Sequence, residues 1–332
     1  MQKPNSDEWA PDQFAEESIG HHLGIQRLHQ RDLRKLKLGI VGLDVAIAKK
    51  TRQALYPLSW TFGELSIADL GNVRNTSPDF ITPLLRELQT AGITPILIGG
   101  DTNLFRSQYQ AFQEVRRQVS VVMIDQHLRL SLEPSKAKNY VLNPAVHAKR
   151  KRFYHLSHVG AQQHLVDPAL FSLLEAKNYE YVRLGAAREN LQELEPLIRD
   201  ADLVGLDISA IKYYEAPAQA GHHPSGFDLG EATQLCRYAG ISDKLQSFGL
   251  YGAVADVDET AMHVTAAAYA QLIWYFIDGF AARKGDFPAT TSGLVEYVVD
   301  LKGYEPLTFW KSPRSGRWWI QAPAGHYHGE ER

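Results

Sequence analysis

Three short stretches hold residue types able to do chemistry. Gly99-Gly100-Asp101-Thr102-Asn103 follows one apolar run, and Asp125-Gln126-His127-Leu128-Arg129 follows a second. Asp207-Ile208-Ser209 follows a third and leads into Ala210-Ile211-Lys212. Along extended backbone the side chains alternate, so Asp125, His127 and Arg129 share one face, as do Asp207 and Ser209. Two Asp-x-(His/Ser) pairs could therefore converge on one point from two strand ends. Arg129 opens a different chemistry. A guanidinium bonds carboxylates in bidentate fashion. Set between Asp125 and Asp207, it would neutralise an acidic pocket and tie two strand ends together.

The elements that must position these residues are readable as well. Leu36–Leu43, Leu65–Asp69, Ile93–Ile98, Val119–Ile124, Tyr181–Leu184, Leu203–Asp207 and Gln246–Tyr251 read as buried strands. A helix begins with Ser77 as N-cap and Pro78 at its first position, and stops at Gly92. Pro83 inside it argues for a later start. Further helices are expected near Leu104–Val115, Leu191–Asp200, Leu229–Ala239 and Ala261–Ala282. Alternation of strands and helices, with strands apolar throughout, predicts an α/β protein with a mostly parallel central sheet covered on both faces. Ligands of such sheets bind beyond the carboxyl ends of the strands, which is where all three polar stretches fall. No Pro/Gly/Ser-rich linker divides the middle of the chain. The expected organisation is an N-terminal arm (1–35), one large domain (36–285) and a C-terminal extension (286–332). The extension's Trp-rich end predicts a β-hairpin packed on the same domain.

Composition limits the function classes. The 332 residues are 44% hydrophobic and 22% charged, as in ordinary globular chains. A formal net charge of −3 leaves no electrostatic footprint for nucleic acid or an anionic membrane. The lone Cys236 permits neither an internal disulfide nor a cysteine zinc site, and fits a reducing, cytoplasmic setting. The most apolar stretch, Val264–Phe280, is shorter than the roughly 20 residues of a membrane span and is interrupted by Gln271 and Asp278. It reads as a buried helix. Lys149–Arg152 reads as a solvated loop and His222-His223 as a loop flanking the pocket.

The order Gly-Gly-Asp, then Asp-x-His, then Asp-x-Ser resembles the ureohydrolase superfamily of arginase, agmatinase and formimidoylglutamase. Its motifs read GGDH, D-A-H-x-D and D-x-D-x-x-D-P. The resemblance runs from about Leu36 to Ala282. The His223-Pro224-Ser225-Gly226 segment, the final helix and the Lys311-Ser312-Pro313 ending look most like a bacterial formimidoylglutamase-like branch. It implies a three-layer α/β/α fold, a homo-oligomer, and two Mn²⁺ ions activating a hydroxide that attacks a guanidinium or formimino carbon. This sequence departs from the pattern. Thr102 stands at the GGDH histidine, Arg129 at the last aspartate of the second motif, and Ser209 and Lys212 at later aspartates of the third. The family's glutamate falls within Gly252-Ala253-Val254-Ala255. Asp125, His127 and Asp207 remain as ligands for a single metal. The other expected pocket residues are Asp101, Thr102, Asn103, Arg129, Ser209, Lys212, His222 and His223.

Two carboxylates and one guanidinium leave a single net negative charge where the family's ligand set holds four carboxylates. At ~4 Å and an effective dielectric of about 20, each like-charge pair costs on the order of 4 kcal/mol, and arginine against a divalent ion doubles that. The sequence therefore reads as a degraded dinuclear manganese site in a non-hydrolytic pseudoenzyme, acting as a binding, scaffold or regulatory protein without a cofactor. The alternative is a formimidoylglutamase-like hydrolase of linear amidine C–N bonds that uses one Mn or other divalent ion. A third reading reuses the pocket in another enzyme with Arg129 as an anion anchor. The ligand is a small molecule or a protein partner of open identity, with no nucleic acid or membrane partner.

Overall fold

Aliphatic and β-branched runs form β1 (Leu38–Gly42), β2 (Ile67–Asn72), β3 (Thr94–Ile98), β4 (Val119–Ile124), β5 (Phe153–Ala161), β6 (Glu180–Arg183), β7 (Leu203–Asp207) and β8 (Ser247–Tyr251). They make one sheet in the order β2-β1-β3-β8-β7-β4-β5-β6, with every pairing parallel. The coordinates are a computed structural model that describes residues 11–23, 35–113, 119–134, 140–148, 153–288, 290–300, 302 and 306–321. Lys149–Arg152 and residues 135–139 lie outside the described residues.

The helices are α1 (Ile19–His22), α2 (Val45–Leu55), α3 (Pro78–Thr90), α4 (Phe105–Gln113), α5 (Asn143–Val146), α6 (Pro168–Ala176), α7 (Leu184–Glu189), α8 (Leu194–Arg199), α9 (Leu229–Gly240) and α10 (Glu259–Ala281). Strand alternation sorts the core into two layers. Ile40, Ile96, Ile98, Val122, Val204 and Leu206 face α2, α9 and α10. Val41, Leu97, Val121, Met123 and Leu203 face α3, α4 and α6. The result is a three-layer α/β/α fold. α9 and α10 approach closely at two glycines. A Cβ on Gly240 would lie 2.2 Å from the Phe276 carbonyl oxygen, and one on Gly279 would lie 2.3 Å from that of Arg237.

α2, α6 and α7 were not among the expected helices, and two further departures have a local cause. α3 starts at Pro78, with Pro83 inside it. The hydrogen bond that Pro83 cannot donate would have gone to Asp79, an exposed residue in the first turn where water can serve the carbonyl, so the helix continues. β5 was not expected, because His155, Ser157 and His158 interrupt its apolar run.

The chain forms two compact units, Met1–Ala282 and Arg283–Arg332. Within the first, Ile19 and Leu23 join the core, and the Ile19 amide donates to Leu58 O at 2.8 Å. Within the second, β9 (Val295–Val299), β10 (Leu307–Lys311) and β11 (Trp318–Gln321) form an antiparallel sheet in the order β11-β10-β9. Among the described residues, no helix is long and apolar enough to cross a membrane.

Candidate functional site

The strands β3, β8, β7 and β4 are adjacent in the sheet, so their carboxyl ends deliver four segments to one place. Gly99–Thr102 follows β3, Gly252 follows β8, Asp207 closes β7, and Asp125 follows β4. Ile124 pairs with Leu206, which sets Asp125 beside Asp207 across the β4–β7 seam. Above these ends lies a cavity of about 380 Å³.

Short local turns aim the carboxylates. Asp125 accepts from the His127 amide through Oδ1 at 2.9 Å, and Asp207 accepts from the Ser209 amide through Oδ1 at 2.9 Å. These are Asx turns, which fix the side chain against its own backbone. The second oxygens are taken by Arg129. Its Nε donates to Asp125 Oδ2 at 2.7 Å and its Nη2 to Asp207 Oδ2 at 3.0 Å. Thr102 Oγ1 also donates to Asp207 Oδ2, and Ser209 Oγ lies 3.4 Å from Asp125 Oδ1. All four carboxylate oxygens thus accept from the protein. The side chains of Asp125 and Asp207 are 0% and 1% exposed, against 33% for Arg129.

The electrostatics follow from this packing. Burial works to raise the Asp125 carboxyl, but Arg129 and His127 hold it below the ordinary value. Burial, joined by the charge of Asp125, pushes Asp207 above its ordinary value despite Arg129. Burial opposes the charge of Arg129, yet Asp125 and Asp207 together raise its pKa. His158 lies behind the site on β5. Its Nε2–H donates to His127 O at 2.9 Å, and burial lowers its pKa to about 4.

Of the expected residues, Asp101, Thr102, His127, Arg129, Asp207, Ser209 and His223 line the cavity, with Asp125 buried beneath them. Three others lie outside that lining. The Asn103 amide caps Asp101 Oδ1 at 2.7 Å. Lys212 Nζ lies 3.8 Å from Asp228, and the His222 ring packs on Tyr213 at 4.9 Å. Asp44 and Gln126 line the cavity and were missed. Asp44 caps α2 through bonds to Ala46 and Ile47, and its Asp-before-helix pattern is the signal that could have found it. Gly252 has φ +83°, and a Cβ there would meet Asp207 Oδ2 at 2.5 Å. Glycine at that position lets β8 pass close to the carboxylate.

The profile of the arginase family matches residues 16–278, most of the chain. The chain belongs to the arginase family. Similar solved structures include formiminoglutamase of Trypanosoma cruzi with Mn²⁺, at 15% identity and a TM-score of 0.68, covering 78% of this chain and 96% of that one. Formimidoylglutamase from Bacillus subtilis subsp. subtilis str. 168 shares 17% identity at a TM-score of 0.64, covering 75% and 88%. Agmatine ureohydrolase of Thermoplasma volcanium shares 17% at 0.60, covering 74% and 90%. A comparison with curated proteins gave no match.

The donor set of this arginase-family chain does not suit a pair of divalent ions. Hydroxyls at Thr102 and Ser209 are poor ligands beside carboxylates, and Arg129 brings a positive charge to within hydrogen-bond reach of both acids. Among the described residues, no group of three or more His, Cys, Asp or Glu is arranged to hold a metal ion.

Proposed function

We propose that this chain is a non-hydrolytic member of the arginase family whose pocket binds rather than cleaves, in a binding, scaffold or regulatory role. One observation carries the reading: the Arg129 guanidinium bridges Asp125 and Asp207 at 2.7 and 3.0 Å. A cation is already built into the place where a divalent ion would need those oxygens. The family likeness further supports a homo-oligomer, and the lone Cys236 supports a cytoplasmic setting.

A second reading rests on His127. Its Nδ1 is buried without a partner and lies 3.8 Å from Asp125 Oδ1. That favours one divalent ion at Asp125, His127 and Asp207, and with it a formimidoylglutamase-like hydrolase of linear amidines.

One experiment separates the two. The protein is purified from manganese-supplemented medium, analysed for Mn, Zn and Ni, and incubated with formimidoylglutamate, arginine and agmatine plus Mn²⁺. The first reading expects substoichiometric metal and no formamide, urea or ammonia above background. One equivalent of metal that is lost in His127→Ala, with turnover lost in Asp125→Ala, would overturn it.

A further inference from the structure

A second cavity of about 380 Å³ lies at the opposite end of the sheet, where β4, β5 and β6 begin. Its floor is buried sheet: Ser120 and Val122 of β4 and Ser157 of β5. Pro196 and Leu197 of α8 form an apolar wall. Its mouth carries three exposed carboxylates, Glu180, Glu193 and Asp200. His155 sits beside them, with Nε2 3.3 Å from Glu180 Oε2.

Two independent observations point to a ligand. The first is charge. No Lys or Arg is among the residues lining the cavity. Lys244 reaches the Asp200 side of the cavity, where its Nζ lies 3.4 Å from Asp200 Oδ1 and 3.7 Å from Asp202 Oδ2 and donates to Asp200 O and to Ser120 Oγ on the floor. Glu180 and Glu193 leave the mouth negative, which concentrates cations there. The second is Ser157. It is 1% exposed, lines the floor, and its Oγ has no hydrogen-bond partner. Buried hydroxyls are nearly always paired, so this one calls for a polar group inside the cavity.

We propose that this cavity binds a small organic cation: a short aliphatic chain with a protonated amine at one end and a hydroxyl-type group at the other. The ammonium sits among Glu180 and Glu193 at the mouth. The methylenes lie between Val122 and Leu197, and the distal polar group pairs with Ser157. The strands separate this site from the one at their carboxyl ends, and it does not depend on whether that site holds a metal.

The test is calorimetric titration of the full chain with 5-aminopentan-1-ol, n-pentylamine and 1,5-pentanediol. Saturable 1:1 binding is expected for the amino alcohol, weakening as salt rises. Pentylamine, which lacks the distal hydroxyl, binds about three- to ten-fold more weakly, the usual worth of one hydrogen bond. The diol gives no saturable binding. Ser157→Ala removes the preference for the amino alcohol, and Glu193→Gln, on an exposed side chain that does not threaten folding, weakens both amines. Absence of saturable binding by the wild type overturns the proposal. So does binding that is unchanged by Ser157→Ala and Glu193→Gln, or lost in Asp101→Asn, which would place the amine in the other cavity.

Discussion

The two buried aspartates exist as a pair only because Arg129 stands between them. Replacing it with methionine keeps much of its volume and leaves two adjacent carboxylates, 0% and 1% exposed, without a counter-charge. Arg129→Met is expected to cost about 3 kcal/mol in urea denaturation near pH 7. Arg129→Lys should recover part of that, because it restores the charge but not the fork that reaches both acids. The pH dependence has a definite sign. Asp125 is held below its ordinary value, so its contribution is present above about pH 4 and is lost as acid protonates it in the folded state. The gap between wild type and Arg129→Met therefore narrows on acidification, and a gap that widens would refute the assignment. His158 gives a second test. Its folded pKa of about 4 lies below the unfolded 6.5, so the unfolded chain takes up the proton first. Stability attributable to His158 falls by about 3 kcal/mol between pH 6.5 and pH 4. A shallower slope in His158→Gln, whose amide can still donate to His127 O, confirms this. At this scale the sequence was legible where a polar residue follows an apolar run, as at Asp125, Thr102 and Asp207. Asp44 and Gln126 also follow apolar runs, but which polar residues beyond a strand reach the cavity is decided only when the folded chain brings the strand ends together.

At the scale of elements, regular apolar runs were legible and mixed ones were not. β1, β3, β4, β7 and β8 are buried on both faces and read directly from their aliphatic content. β5 hid because its buried positions include Ser157 and His158, which answer to local cavities and hydrogen bonds rather than to the hydrophobic pattern. The α9–α10 contact shows a similar gap. Glycines at 240 and 279 look like helix breakers in sequence, yet they let two backbones meet where a side chain cannot fit. The heavy atoms in the way are backbone carbonyl oxygens, nitrogens and Cα atoms, which cannot rotate aside. Gly279→Ala, although helix-favouring by about 1 kcal/mol in isolation, is expected to destabilise the chain by about 2 kcal/mol as the helices are pushed apart. A thermal or urea midpoint equal to or above wild type would mean that α9 and α10 can slide without cost.

For the molecule as a whole, the fold is that of the arginase family, while residues at the strand ends differ from the family motifs. The eight-stranded scaffold still brings β3, β8, β7 and β4 together at their carboxyl ends. Three of the positions where this chain departs from the family motifs, Thr102, Arg129 and Ser209, lie within hydrogen-bond reach of the same two aspartates. The backbone at position 129 also suits the aspartate that the family motif carries there. Arg129 has φ +45°, in the left-handed region where arginine is uncommon and aspartate is several-fold enriched. Restoring aspartate there therefore asks little of the chain. The triple change Thr102→His, Arg129→Asp and Ser209→Asp supplies four carboxylates and two imidazoles around the same point, with Asp125, His127 and Asp207 left in place. It removes the only cation that bonds both aspartates among the described residues. The variant is expected to bind at least one equivalent of Mn²⁺ by equilibrium dialysis, and its melting temperature should rise with Mn²⁺ concentration, because a ligand that binds only the folded state stabilises it by mass action. Wild type should show neither response. If the triple variant folds with an unchanged circular dichroism spectrum and still takes up no metal, the turns that aim Asp125 and Asp207 have moved away from a metal-binding geometry. The proposed loss of hydrolytic chemistry would then lie in the backbone as well as in three side chains.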